Sequence, residues 1–343
     1  MPTWSAVASV ETAVGFKDNL VLSAENEERS SFARGGVEFL VMRVPTGALD
    51  LSLFGLATGT RYLTGETIEA DHKIWLHAES AYRIGSGWKV TLPVTGYSDA
   101  GVFDQSATDA ERIVAELKVK GLMVGPSLRW DVLPAWWIEA QATGERKRYE
   151  DGANDGEVGG QDLRVGWAPG KRLELRVKGV RRWRSFESRA RYNAAGRELF
   201  GTELKIEERE LELRATIGWD RAGRWRTTTR AGVLHYRDNG SGYFNYRDLR
   251  FAHDVEWKGG AWTVRLEAAV NRIEFGVQTV GLGLAPPARV KDEYDAALRV
   301  ERQYSPRVAV FGDYRWERSR CNDAIASYRV NECLLGVRWS WER

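Results

Sequence analysis

Strict alternation of apolar and polar side chains, repeated along most of the chain, narrows the fold more than any other feature. From Glu210 to Trp219, Leu211, Leu213, Ala215, Ile217 and Trp219 fall on one side, with Glu210, Glu212, Arg214 and Thr216 on the other. A period of two belongs to a β-strand with two unlike faces; a helix repeats its apolar positions every three or four residues. The pattern returns in Leu173, Leu175 and Val177, in Trp262 through Val270, in Val308 through Trp316 and in Cys333 through Trp341. It predicts strands near 4–16, 31–44, 47–61, 72–85, 87–98, 112–132, 135–149, 158–168, 171–186, 202–219, 224–238, 243–258, 261–275, 291–303, 306–320 and 327–341.

The links between these segments alternate in length. Short ones, built from turn-forming residues, lie at Pro45-Thr46-Gly47, Gly85-Ser86-Gly87, Leu133-Pro134-Ala135, Ala168-Pro169-Gly170, Asp220-Arg221-Ala222-Gly223, Lys258-Gly259-Gly260 and Ser305-Pro306. Longer polar links cover 17–30, 99–111, 150–157, 187–201 and 276–290. An even number of long strands with one tight end and one looped end is the layout of a transmembrane barrel. The expectation is an all-β, sixteen-stranded antiparallel up-and-down barrel filling residues 1–343 as a single domain. It is integral to a bacterial outer membrane, with short periplasmic turns and longer extracellular loops.

Composition removes other classes. The 50 basic and 48 acidic residues leave a net charge of +2, so the chain lacks the cationic excess of a dedicated nucleic-acid binder, and no nucleic-acid partner is expected. No uncharged apolar run reaches the roughly 18 residues of a membrane-spanning helix. The four histidines, His72, His77, His235 and His253, show no metal spacing, and no phosphate loop or paired-cysteine ligand set is present, so no cofactor or metal is expected. A soluble β-propeller also repeats every forty or so residues, but each blade fits four short strands into that length. Here there are two long ones. A soluble sandwich remains compatible with the alternation alone.

Tryptophan argues for the barrel. Of the 15 tryptophans, Trp4, Trp88, Trp130, Trp136, Trp137, Trp167, Trp219, Trp225, Trp257, Trp262, Trp339 and Trp341 lie beside a short link or a terminus, whereas Trp75, Trp183 and Trp316 do not. Amphipathic indoles gather at lipid headgroup level, so this placement predicts a girdle on the turn side. Tyrosines dominate the loop side, among them Tyr62, Tyr97, Tyr149, Tyr192, Tyr236, Tyr243 and Tyr246. Met1-Pro2-Thr3-Trp4 leads straight into the first strand with no basic start and apolar run, so the sequence reads as a mature form behind an added Met. A cytoplasmic protein is the competing reading.

After the first strand stands Gly15-Phe16-Lys17-Asp18-Asn19-Leu20. It resembles the Gly-aromatic-x-Asp-Asn-aliphatic signature near the first hairpin of the β-barrel porin type 2 family, with Lys17 where an acidic residue is usual. It is similar, more weakly, to the barrel of surface lipoprotein assembly modifiers. The resemblance implies an outer-membrane barrel in an envelope transport or secretion pathway, exopolysaccharide export in particular, with periplasmic secretion partners. As a bare sequence it also reads as an Asx-type loop start.

With the apolar face on lipid, Arg164, Glu174, Arg176, Lys178, Glu210, Glu212, Arg214, Arg226, Arg230, Arg250, Asp254, Glu256, Arg265, Glu267, Asp295, Arg299, Glu301, Asp313, Arg315, Glu317 and Arg338 point inward. Two readings stay open: pairing across the wall, or a hydrated conduit whose charges screen permeants. Arg164, Lys171, Arg172, Arg176, Lys178, Arg181, Arg182, Arg184, Arg189 and Arg191 form a local basic excess that suits an anionic solute, polysaccharide or lipopolysaccharide, or else solvated loop ends. The function expected is a channel or export conduit for polar solutes without chemistry of its own, in contact with outer-membrane lipid. The contrasting classes are a non-conducting receptor or assembly factor and a hydrolase built on Ser52, His77 and Glu79. Cys321 and Cys333 flank the last long link and predict a hairpin-closing disulfide, with free thiols as the alternative. The apolar segment from Gly276 to Pro287 folds inward, covers the rim or extends the sheet.

Overall fold

The computed structural model describes residues 4–44, 47–104, 114–150, 152 and 154–342. Along the first half of the chain run β1 (Trp4–Lys17), β2 (Ser30–Arg43), β3 (Leu49–Tyr62), β4 (Ala70–Ile84), β5 (Trp88–Asp104), β6 (Val114–Val124 continued by Ser127–Leu133), β7 (Trp136–Tyr149) and β8 (Gly156–Gly170). The second half adds β9 (Leu173–Phe186), β10 (Lys205–Gly218), β11 (Trp225–Asp238), β12 (Tyr246–Gly259), β13 (Trp262–Thr279), β14 (Ala288–Gln303), β15 (Val308–Cys321) and β16 (Tyr328–Glu342). Each strand pairs antiparallel with its sequence neighbours, and β16 closes on β1, from Val7 opposite Glu342 to Lys17 opposite Glu332. The sheet is a sixteen-stranded closed barrel, as the periodicity predicts.

β6 is one crossing with a gap in its ladder, since both pieces pair with β5 and with β7. Pro126 has no N–H to give, and Pro93 on β5 has none either. Their carbonyls still accept, Pro93 O from Gly125 N–H at 3.1 Å and Pro126 O from Ala142 N–H at 3.0 Å, and the register resumes unshifted. β5 runs to Asp104, six residues beyond its expected end at 98. Of the apolar segment Gly276 to Pro287, only residues up to Thr279 extend the sheet as the end of β13; residues 280–287 form the loop before β14, with Leu282 and Leu284 exposed. Pro45 and Thr46 of the first short link, and most of the long link 99–111, lie outside the described residues.

Contacts between strands that are not neighbours identify the inner face. Arg299 on β14 reaches Glu11 on β1 at 2.8 Å, and Lys291 on β14 reaches Asp104 on β5 at 2.6 Å. Only the inside of a closed sheet allows such meetings. The opposite face carries large apolar side chains with nothing over them, Leu213 at 54% and Leu335 at 69% exposure among them. In water that surface is unfavourable by roughly 25 cal/mol per Å²; against lipid chains it is not, and a closed barrel leaves no strand edge unpaired. No helix among the described residues is long and apolar enough to cross a membrane.

Toward the loop end the interior is packed. Leu20 and Ile68, from the loops after β1 and β3, pack on Ala13, Phe32, Tyr62, Phe311 and Leu334 of the wall. A second cluster joins Phe186, Leu204, Ile206, Tyr236, Tyr243 and Phe244 under the loops after β9 and β11. The tyrosines that gather at the loop ends in sequence therefore fill the interior: Tyr62, Tyr236 and Tyr243 are buried. In the long loop after β9, Arg191–Tyr192 pairs with Glu198–Leu199 as a short ribbon.

Candidate functional site

The inner wall divides into two sectors of different electrostatic character. Over β14, β15, β16, β1 and β2 the arginines are tied into ion pairs. Arg299 meets Glu11 at 2.8 Å, Asp313 at 3.2 Å and Glu301 at 3.6 Å while lying 4.0 Å over the Phe311 ring. Arg338 binds Glu301 and comes within 3.8 Å of Glu11. Arg34 pairs with Glu332 at 2.8 Å, and Arg315 with Asp295 at 3.1 Å and Glu317 at 2.8 Å. Three of these links, Arg299–Glu11, Arg338–Glu301 and Arg34–Glu332, reach across at least one intervening strand, and a small residue lies beneath the first two. A Cβ on Gly336 would sit 2.5 Å from Phe311 Cζ and 2.7 Å from Thr12 O, so only glycine lets the ring and the guanidinium above it lie flat on the wall. Arg265 and Glu267 join this sector around a cavity of about 250 Å³.

The sector over β7 to β11 is basic. Its upper rung is neutralised: Arg164 binds Glu139 and Asp162, and Lys178 lies 3.8 Å from Asp162. One rung nearer the short turns, the register sets Arg176 on β9 opposite Arg214 on β10, and Arg214 opposite Arg230 on β11. Arg230 is held by Asp254 at 2.9 Å. Arg176 and Arg214 close no ion pair among the described residues, and Arg176 Nε is buried without a hydrogen-bond partner. Arg226, inward and opposite Glu256, likewise closes none, because Glu256 is engaged by Lys258 and Arg265. The inward lysines and arginines of the 164–191 stripe are thus Arg164, Arg176, Lys178, Arg182 and Arg184. Arg181 points outward to Glu207, and Lys171, Arg172, Arg189 and Arg191 lie in links.

At the turn end, Trp4, Trp88, Trp130, Trp136, Trp167, Trp219, Trp225, Trp257, Trp262, Trp339 and Trp341 lie on the outer side or in the adjoining turn. Three pairs stand directly opposite on neighbouring strands: Trp88 with Trp130, Trp136 with Trp167, and Trp225 with Trp257. The first is stacked at 5.3 Å between ring centroids, an arrangement worth about 0.5–1.5 kcal/mol beyond its burial. Trp137 departs from the expected belt. It points inward, buried, against Gly166, where any Cβ would run into the indole, and Arg129 lies 4.5 Å over its ring.

The predicted disulfide does not form; both thiols are free. Cys333 stands opposite Tyr314, seven residues before Cys321, which puts the cysteines about 23 Å apart along the ladder, against the ~7 Å limit for a disulfide. They also face opposite ways, Cys333 outward beside Leu335 and Cys321 on the inward side beyond Ser319. The Ser52 and His77 pair is not assembled either. Ser52 stands opposite Glu79, while His77 Nδ1 bonds Thr95 Oγ1 at 2.8 Å and its Nε2 lies 3.9 Å from Glu79. Among the described residues no cluster of His, Cys, Asp or Glu could hold a metal ion.

No protein-family model matches the chain, and no curated protein sequence matches it. Solved structures do, across nearly the whole length. An anion-selective porin from Comamonas acidovorans aligns at 12% identity over 98% of this chain and 99% of its own, with a TM-score of 0.52. OccK8 (OprE) of Pseudomonas aeruginosa aligns at 10% identity over 99% and 98%, with a TM-score of 0.51. A bacterial polysaccharide outer-membrane secretin aligns at 10% identity over 97% and 98%, with a TM-score of 0.45. At these identities the likeness to the first two shows the fold alone: a sixteen-stranded antiparallel closed β-barrel resembling those of outer-membrane porins.

Proposed function

We propose that the chain is a passive channel of the bacterial outer membrane for small polar solutes, prefers anions and performs no chemistry of its own. The observation that carries the reading is the unequal inner wall: one sector ties its arginines into ion pairs, and the other sets Arg176 and Arg214 directly opposite one another with no ion pair, behind an apolar exterior. In a narrow low-dielectric conduit, nearby charges govern a permeant more than net charge does, because screening cuts off beyond a Debye length of about 8 Å. The short turns face the periplasm, the loops face outward, and the tryptophans sit at the periplasmic headgroup level. Outer-membrane lipid and lipopolysaccharide then surround the apolar band.

The packed interior favours small solutes over the polysaccharide export that the Gly15–Leu20 motif implies. Cavities along the inner wall, among them ones of about 250, 280, 360 and 590 Å³, are on the scale of a small solute. A second reading, a non-conducting receptor or assembly factor, draws on the same packing and on the Lys291–Asp104 link across the interior. Single-channel recording in planar bilayers, with neutral and charged sugars as blockers, separates the two. Discrete conductance steps blocked more strongly by anionic than by neutral sugars support the channel. A folded protein that inserts without conducting supports the other reading.

A further inference from the structure

We propose that Arg176 and Arg214 form a discrete oxyanion site on the inner wall, which takes the phosphate or carboxylate group of a small solute. The argument begins with the register. Residues directly opposite on neighbouring antiparallel strands hold their Cβ atoms about 4.5–5.5 Å apart, and like charges there are unfavourable. Here three guanidiniums, Arg176, Arg214 and Arg230, occupy one lateral row across β9, β10 and β11. Only Arg230 has its own carboxylate, Asp254. Glu174 and Glu212 stand two residues away on the same face as the other two arginines, yet neither closes an ion pair among the described residues.

Around Arg299 and Arg338, by contrast, Glu11, Glu301 and Asp313 are interleaved with the arginines in direct ion pairs. In the row on β9 and β10, Glu174 and Glu212 lie near without closing an ion pair, and Arg176 Nε, like the Nε of Arg230 further along the same row and of Arg299, is buried with no acceptor. A buried donor on a charged group is unfavourable unless something accepts from it. One anion between the two forks removes both penalties. It accepts from the planar guanidiniums in the paired geometry that suits phosphate and carboxylate oxygens, which a spherical halide does not match. Gly166, directly opposite Arg176 on β8, adds no side chain on that flank, and Trp137 packs over it as an apolar wall. On the other face of the same strand, Leu213 and Ala215 flank Arg214 and point outward.

The site relies on the channel reading only for how a solute arrives, so the test measures binding first and conduction separately. The protein is refolded in detergent, and thermal unfolding is followed with inorganic phosphate and, at equal ionic strength, with chloride. Wild type is expected to melt several degrees higher in phosphate. In the Arg176→Gln/Arg214→Gln variant the phosphate increment is lost, while the melting temperature in chloride rises because the like-charge contact is gone. Arg176→Lys/Arg214→Lys keeps the charge without the fork and retains only a small part of the increment. Arg315→Gln, in the paired sector, melts lower but keeps the full increment.

An equal phosphate increment in wild type and the double Gln variant, or a double Gln variant less stable in chloride, overturns the site. In bilayers, phosphate is expected to reduce chloride current through wild type and not through the double Gln variant. If phosphate binds but no current flows, the channel reading fails and the site stands. If current flows with no phosphate effect in either assay, the site fails and the channel stands.

Discussion

Two stretches of the same inner wall answer one electrostatic problem in different ways. Over β14 to β2, Arg299, Arg338, Arg34 and Arg315 are each tied to a carboxylate on their own or another strand. Over β9 and β10, Arg176 and Arg214 face each other with none. The composition of the two stretches differs little, since carboxylates lie close to both. Geometry makes the difference: Gly336 and Phe311 let long side chains reach flat across the paired sector, whereas Glu174 and Glu212 stand beside their arginines without touching them. A wall meant only to be stable would pair both stretches.

The largest expected effect sharpens the contrast between the faces of the basic sector. Leu213 faces outward next to inward Arg214, so Leu213→Arg places a second guanidinium one residue away on the lipid side. The cost is about 2–4 kcal/mol near the bilayer midplane, read from urea titration of the folded barrel in lipid vesicles. Thr216→Arg, on the inner face of the same strand, is expected to cost much less. Equal costs would mean that the inner face is not hydrated.

Next comes the paired sector. Glu301→Gln removes the shared acceptor of Arg299 and Arg338 and is expected to destabilise by about 1.5–3 kcal/mol in the same titration, the worth of hydrogen bonds to charged groups. Arg214→Gln should do the reverse in chloride and stabilise by about 0.2–1 kcal/mol, because it relieves opposition without orphaning an acceptor. If both changes destabilise alike, the two sectors do not differ as described.

The smallest effect lies outside the membrane. Asp155, in the loop before β8, accepts the Tyr149 N–H at 2.5 Å and Arg148 Nη1 at 2.8 Å, and these two bonds hold its carboxyl below the usual carboxylate range. A depressed folded value means that the loop is fully supported above the ordinary pKa, about 3.9, and loses that support as pH falls through the lower folded value. The Tyr149 amide resonance should shift with a midpoint below that ordinary value, and Asp155→Asn should abolish the titration.

Much of this was legible in the sequence, and the boundary has a physical reason. Period-two alternation specifies which residues share a face, so the sixteen strands and the inward direction of Arg176, Arg214 and Arg299 follow from it. Alternation carries no information about register. Whether Arg214 meets Arg176 or Glu174 depends on a shift of two residues that leaves every face unchanged, so the opposed pair becomes visible only in the structure. The disulfide expectation failed for the same reason: nearness to one loop in sequence says nothing about the rung or the side on which each cysteine sits. Trp137 shows a different limit. Two adjacent tryptophans in a strand cannot both face lipid, and proximity to a turn does not reveal which one turns inward. The signal was present in the alternation of Trp137, Glu139 and Gln141 with Trp136, Ile138 and Ala140.

The most direct test of the unequal wall is the reversal potential across a potassium chloride gradient in planar bilayers. Wild type is expected to reverse on the anion-preferring side. The Arg176→Gln/Arg214→Gln variant should shift toward cations, and the shift should shrink at high salt as the charges are screened. A reversal potential unchanged by the double substitution, in protein shown to be folded and conducting, would contradict the claim that the β9–β10 arginines set the selectivity.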